Sequence, residues 1–198
     1  MSSEEQQIRE AFNHLARKWD ERSFSSPDKI RYLLSFLTIP PSSTVLDVGS
    51  GTGVLIPFLR ERIGSSGLIV ELDIAEEMLR VAQEKFGEEG IEYHQGSAER
   101  YSSNYRYDLI IVYSSFPHFG NEDLALRNLI SHLKEGGELA IAHPESRETI
   151  NQRHRGNGAP RAFLLPPGEE LSQKLKERGL EITQVIDNQE LYLVVGRK

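Results

Sequence analysis

The chain has no cysteine among its 198 residues. That excludes disulfides, thiolate-held metals and a cysteine nucleophile. Long apolar runs are missing too. The longest are about six residues, against the roughly 20 that a membrane-spanning helix needs. The opening MSSEEQQIRE has no apolar stretch of the kind a secretory leader carries. Positive charge is in deficit: 23 Lys and Arg stand against 30 Asp and Glu, a net charge of −7. That balance argues against nucleic acid as the main partner, because phosphate binding draws on Lys and Arg. The absences together point to a cytoplasmic protein that handles small molecules, with no membrane or nucleic-acid partner.

The residues present spell an alternation of strands and helices within one domain spanning 1–198. Ile8, Phe12, Leu15 and Trp19 recur at helical spacing, so residues 4–21 read as an amphipathic helix. Ser25, Ser26 and Pro27 then mark the start of a second helix over 27–37. Short apolar runs at 44–48, 68–72, 91–94, 109–113 and 138–142 predict strands, with helices at 54–63, 76–86, 122–134 and 168–178. The unbroken run Leu109-Ile110-Ile111-Val112 suits an interior strand of a parallel sheet covered on both faces. The last two runs, 180–186 and 191–195, are separated by only Asp187-Asn188-Gln189-Glu190. That is too short for a crossover, so they must pair antiparallel. The expected fold is α/β: a Rossmann-like, doubly wound sheet of seven strands, mostly parallel, closed by an antiparallel C-terminal hairpin.

The first strand runs into Val45-Leu46-Asp47-Val48-Gly49-Ser50-Gly51-Thr52-Gly53. Glycines there let the backbone turn tightly and approach a ligand that a Cβ would exclude. The turn differs from a dinucleotide fingerprint, since Val54 stands where the third small residue belongs. Asp47 separates the two further. A pyrophosphate over this turn would meet a carboxylate, whereas an ammonium and a sulfonium would be attracted. The competing structural reading makes Asp47 a turn cap. Asp73 ends the second strand 20 residues beyond Gly53, where an acid can accept hydrogen bonds from ribose hydroxyls. Glu71, further back, reads as a face-packing or solvated charge. Ile74 and Met78 are placed to flank an adenine, although both equally suit the core of the following helix.

These motifs resemble the class I S-adenosylmethionine-dependent methyltransferases, particularly the small-molecule branch. The glycine turn is similar to that family's first motif, and Leu72-Asp73-Ile74-Ala75-Glu76-Glu77-Met78-Leu79 to its second-strand segment. Gln95-Gly96-Ser97-Ala98-Glu99, Tyr107-Asp108-Leu109-Ile110-Ile111-Val112 and Leu133-Lys134-Glu135-Gly136-Gly137-Glu138-Leu139 follow in the family's order. The resemblance implies S-adenosyl-L-methionine as cofactor. Asp47, Gly49 and Gly51 would hold its methionine end, Asp73 its ribose, and Ser97 with the Ala98 backbone its adenine. Ser50, Gly53, Ile74, Met78, Glu99 and Tyr113 complete the expected cofactor contacts. Position 97 often carries Asp in the family, so Ser97 offers a weaker acceptor. Residues 1–38 resemble lid helices, with Phe12, Trp19 and Asp20 on one of them.

Methyl transfer from a sulfonium is an in-line displacement that needs no metal, and no metal ligands are expected. The protein must hold the acceptor atom near ~3–3.5 Å from the methyl, and a base helps where the acceptor loses a proton. His118 follows the fourth strand at the carboxyl end of the sheet, where ligands bind; it equally suits a structural loop histidine. Arg147, Asn151 and His154 share one face if their segment is helical. Residues 145–166 are therefore expected to form a substrate-side insertion, with His154 as base or orienter and Arg147 binding an anionic group of a small-molecule acceptor. The stretch Gly156-Asn157-Gly158-Ala159-Pro160 is flexible by composition. His14, His94, His132 and His143 read as structural or surface residues. Two rival readings stand beside this one: a nucleotide-dependent oxidoreductase on a similar sheet, and a non-catalytic module that keeps the cofactor cleft.

Overall fold

The predicted strands appear in the computed structural model, which describes residues 3–22, 26–156 and 164–198. They are β1 (Thr44–Val48), β2 (Leu68–Asp73), β3 (Ile91–Gln95), β4 (Tyr107–Tyr113), β5 (Leu133–His143), β6 (Glu181–Asp187) and β7 (Tyr192–Arg197). The sheet order is β3-β2-β1-β4-β5-β7-β6. β1 to β5 pair parallel, and β7 pairs antiparallel with both β5 and β6. The chain winds outward from β1 in one direction and from β4 in the other. The carboxyl ends of these two neighbours form the switch point at which such sheets bind ligands.

Strand alternation divides the core into two layers. Val45, Ile69, Leu109 and Ile111 pack on one face with α3 (Pro27–Leu34) and α4 (Ile56–Ile63). Leu46, Val70, Ile110 and Val112 pack on the other with α6 (Glu122–Ser131) and α8 (Gly168–Lys176). α5 (Glu76–Phe86) carries Met78 into a third, smaller cluster. Among the described residues no helix is long and apolar enough to cross a membrane.

Three parts of the chain depart from the sequence reading by three residues or more. The helix expected over 122–134 stops at Ser131, and Leu133 and Lys134 open β5 instead. Gly137 explains the early start: a Cβ there would lie 2.7 Å from the Tyr107 carbonyl, so only glycine lets the strand approach β4. The N-terminal helix is not continuous. α1 (Ser3–Leu15) passes through a 3-10 turn, Ala16–Lys18, into α2 (Trp19–Arg22). α3 keeps Pro27 in its first turn but ends at Leu34, and Ser26 makes no side-chain cap. The expected cap residue Ser25, most of the Gly156–Pro160 stretch and Arg161 lie outside the described residues. Arg147–Gly156 is helical, the condition on which Arg147, Asn151 and His154 share a face, and forms α7.

Candidate functional site

β1 delivers the chain into a turn in which Gly49, Gly51 and Gly53 have φ of +68°, +58° and +77°. A side-chain-bearing residue loses roughly 1–2 kcal/mol in that region. The Gly49 N–H donates to the Leu72 carbonyl at 2.7 Å, tying the turn to β2. A Cβ on Gly49 would lie 2.4 Å from Ser115 Cβ, so the turn sits directly against the loop after β4. Gly53 does something else. Its missing Cβ would strike Ile56 Cδ1 at 2.6 Å, and it is not among the residues that line the cleft. Gly53 allows helix packing under the turn.

Three carboxyl groups gather beneath this turn. Asp47 is 1 % exposed, and neither of its oxygens has a hydrogen-bond partner among the described residues. Its geometry therefore rules out the turn-cap reading. Burial, and then the charge of Asp73, push Asp47 up to about 8. Asp73 is also raised, to about 6, by burial; backbone N–H donors hold it back. Gly51 and Ala75 are among those donors, each at 2.8 Å, so Asp73 braces the glycine turn as well as facing the cleft. Glu71 is fully buried, which corrects the solvated reading. Burial and the neighbouring Asp47 charge raise it well above the usual carboxylate range.

The cleft continues past β3. Ser97, Ala98 and Glu99 line it, and the Ser97 hydroxyl is buried without a hydrogen-bond partner among the described residues. The Ala98 carbonyl accepts from Asn128 Nδ2 at 2.8 Å, which fixes the segment's backbone. Ile74, Met78 and Tyr113 also line the cleft, as do Gly49, Ser50 and Gly51. α1 covers it. Phe12 and Trp19 meet edge to face at 5.4 Å and pack with Met78 and Ile74. Salt links fasten this cover, with Arg9 on Glu76 and Arg100 on Glu5 at 2.8 Å. Thr52 donates to Asp20, which Lys85 also reaches at 2.8 Å.

The imidazoles lie at the other end. His118 lines the cleft, with its ring 5.2 Å from Phe12 and 5.2 Å from His154. Burial, and then His154, lower it to about 4. His143, expected to be structural or superficial, is 3 % exposed, and its Nε2 has no hydrogen-bond partner among the described residues. Burial and the two other histidines lower it to about 3. Arg147 and Asn151 do not join them. Arg147 Nε donates to Asp187 at 2.8 Å, and Asn151 is clipped to the Leu165 backbone at 2.8 and 3.0 Å. Of the predicted helical face, only His154 turns toward His118. No group of three or more His, Cys, Asp or Glu among the described residues could hold a metal.

Sequence reasoning missed Glu5, Ser114, Ser115 and Phe119, all of which line the cleft. The position of Ser114 and Ser115 directly after β4, at the switch point, was the available signal. Ser114 also has φ +55°, a conformation unusual for a non-glycine residue. Glu5 had no signal, because only the folding-back of α1 brings it there.

An open α/β sheet with a glycine turn, a brace carboxylate and a covered cleft at its switch point defines a Rossmann-like nucleoside-binding domain. Comparison with known proteins narrows this. Residues 45–137 match a methyltransferase-domain family. The chain is 30% identical over 165 residues to the malonyl-[acyl-carrier protein] O-methyltransferase of Acetivibrio thermocellus, covering 80% of this chain and 58% of that one. It is 33% identical over 117 residues to the ubiquinone/menaquinone biosynthesis C-methyltransferase UbiE of Hydrogenovibrio crunogenus, covering 56% and 46%. The chain thus spans about half the length of these curated relatives. A SAM-dependent methyltransferase structure from Aquifex aeolicus superposes with a TM-score of 0.70 at 22% identity, over 93% of this chain and 97% of that one. Residues 45–137 thus carry a methyltransferase domain, and the chain is similar to S-adenosylmethionine-dependent methyltransferases.

Proposed function

We propose that the chain binds S-adenosylmethionine in the cleft at the β1–β4 switch point and transfers its methyl group to a small-molecule acceptor. The observation that carries this reading is Asp47, a buried carboxyl group with no partner beneath a glycine cradle. An unpaired buried charge costs several kcal/mol, and a cationic ligand removes that penalty where a phosphate would deepen it. The residues present fit such a cofactor. Asp47 suits an ammonium, Asp73 keeps lone pairs for a ribose diol beyond its two backbone bonds, and the unpartnered Ser97 hydroxyl with the fixed Ala98 backbone suits an adenine edge. When bound, the sulfonium supplies an activated methyl group whose transfer needs no metal.

The acceptor side is assigned to His118, His154 and the cover helix. His118 is neutral across the physiological range, so a ring nitrogen can take a proton from the acceptor. The burial that keeps it neutral makes its imidazolium costly, and the partly exposed His154 ring lies beside it, 5.2 Å away and tilted by 30°. Within the 145–166 segment, α7 is assigned to the acceptor side because it carries His154. Arg147 is tied to Asp187, so an anionic acceptor group loses its expected partner.

Thermal unfolding tests the cofactor assignment directly. S-adenosylhomocysteine at 100 times its Kd should stabilise the chain by roughly 2.7 kcal/mol, and NAD(P) should leave it unchanged. Stabilisation by NAD(P) alone would transfer the assignment to an oxidoreductase.

A further inference from the structure

Glu71 takes no part in the reading above, yet it is the most deeply buried acid beneath the turn. It is 0 % exposed and sits on β2 in register with Asp47 on β1 and Tyr93 on β3. In-register neighbours of parallel strands project to the same face of the sheet. None of the four carboxyl oxygens of Asp47 and Glu71 has a hydrogen-bond partner among the described residues. Groups that could neutralise them from adjoining elements are engaged elsewhere. Lys85 on α5 is bound to Asp20 and to the Thr52 carbonyl, each at 2.8 Å. The Tyr93 hydroxyl donates to the Gly87 carbonyl at 2.7 Å. Asp73 adds a third acid, and Ile111, the other strand neighbour of Asp47, is apolar. The Ser50 hydroxyl influences Glu71 but lies outside hydrogen-bond geometry. Two adjacent carboxylates out of solvent and without donors do not both ionise. The pair therefore keeps a proton in the ligand-free chain at neutral pH.

We propose that Glu71 and Asp47 form a proton-exchanging pair, in which arrival of the cofactor's ammonium end expels one proton from the pair to solvent. Glu71 acts through Asp47 as a positioning residue, and it makes capture of the amino-acid end pH-dependent. The proposal rests on the reading that this cleft takes S-adenosylmethionine. Release of one proton tightens binding up to about tenfold per pH unit until the pair ionises unaided.

Calorimetry of the full chain at pH 6, 7 and 8, in two buffers of different ionisation heat, counts the protons. S-adenosylhomocysteine carries the ammonium; 5′-methylthioadenosine lacks the whole amino-acid end. We expect close to one proton released and a steep pH dependence with the first, and no release with less than a twofold change in Kd with the second. Glu71→Gln keeps the shape, and should lower the proton count and flatten the slope. Equal proton counts for the two nucleosides overturn the proposal, and that contrast needs no variant to fold. An unchanged count in a folded Glu71→Gln chain overturns it equally. If neither nucleoside binds at any pH, it is the cofactor reading that falls.

Discussion

The cleft has an acid end and an imidazole end. Asp47, Glu71 and Asp73 cluster toward the carboxyl ends of β1 and β2, while His118 lines the cleft after β4, with His143 at the end of β5 and His154 on α7 behind it. One cause acts on both. Burial disfavours whichever form is charged, so it raises the carboxyl groups and lowers the imidazoles. The ligand-free cleft thus approaches neutrality at both ends, one by holding protons and the other by refusing them. The difference lies in what each end can then do. On the proposed reading, the acid end yields protons to accommodate a cation, and the imidazole end accepts one from a nucleophile.

Four experiments sharpen or break that contrast. Replacing His118 with Gln should lower methyl transfer by about 10²–10³-fold while cofactor affinity stays within about threefold. Single-turnover kinetics with an acceptor found by screening, beside calorimetry, separates the two; a variant that transfers at the wild-type rate removes the base from the imidazole end. Replacing Asp47 with Asn should weaken S-adenosylhomocysteine roughly 10²-fold, the scale of a lost charged hydrogen bond or two. The same variant should be more stable than wild type at pH 8 without ligand. The sign follows because Asp47 titrates near 8 when folded and near 3.8 when unfolded. The native state holds the extra proton, so stability falls as pH rises through that window, and Asn removes the loss.

The imidazole end should behave in the opposite sense. His118 and His143 titrate near 4 and 3 in the fold against 6.5 when free, so the unfolded chain takes up protons that the native chain refuses. Stability is therefore full above 6.5 and declines as pH falls toward 4. His143→Phe should keep the edge-to-face packing on Tyr192 and recover about 3 kcal/mol at pH 4. Urea titrations at pH 4 and 7 would show this as a flattened acid arm, and an unaltered arm would mean that His143 is not held neutral. The smallest effect belongs to Arg147→Ala. Its partly exposed pair with Asp187 is worth roughly 0.2–1 kcal/mol, so stability should drop slightly and methyl transfer should change less than twofold. A large loss of transfer would restore Arg147 to the acceptor site.

The acid end was largely legible in the sequence because it is local. The strand, the three glycines and Asp47 fall within ten residues, and parallel pairing brings Asp73 to the next strand end. The packing role of Gly53 in that same motif was not legible, because it depends on contact with Ile56, Ala82 and Phe86, which no spacing reveals. Glu71 was left between a face-packing and a solvated reading for a related cause: a charged side chain in a strand cannot be placed until both faces of the sheet are known to be covered.

The imidazole end drew on residues 118, 143 and 154 and on a cover helix from the other terminus, so only packing could assemble it. Helical spacing correctly grouped Arg147, Asn151 and His154, but it carried no information about what that face meets. By itself the sequence determined the order of strands and helices, the C-terminal hairpin and the glycine turn over an acid, because each depends on near neighbours and on alternation of apolar residues. The tertiary structure alone decided which histidines meet, which arginine is already paired and which acids lose their water, because those outcomes depend on burial, and burial is a property of the whole fold.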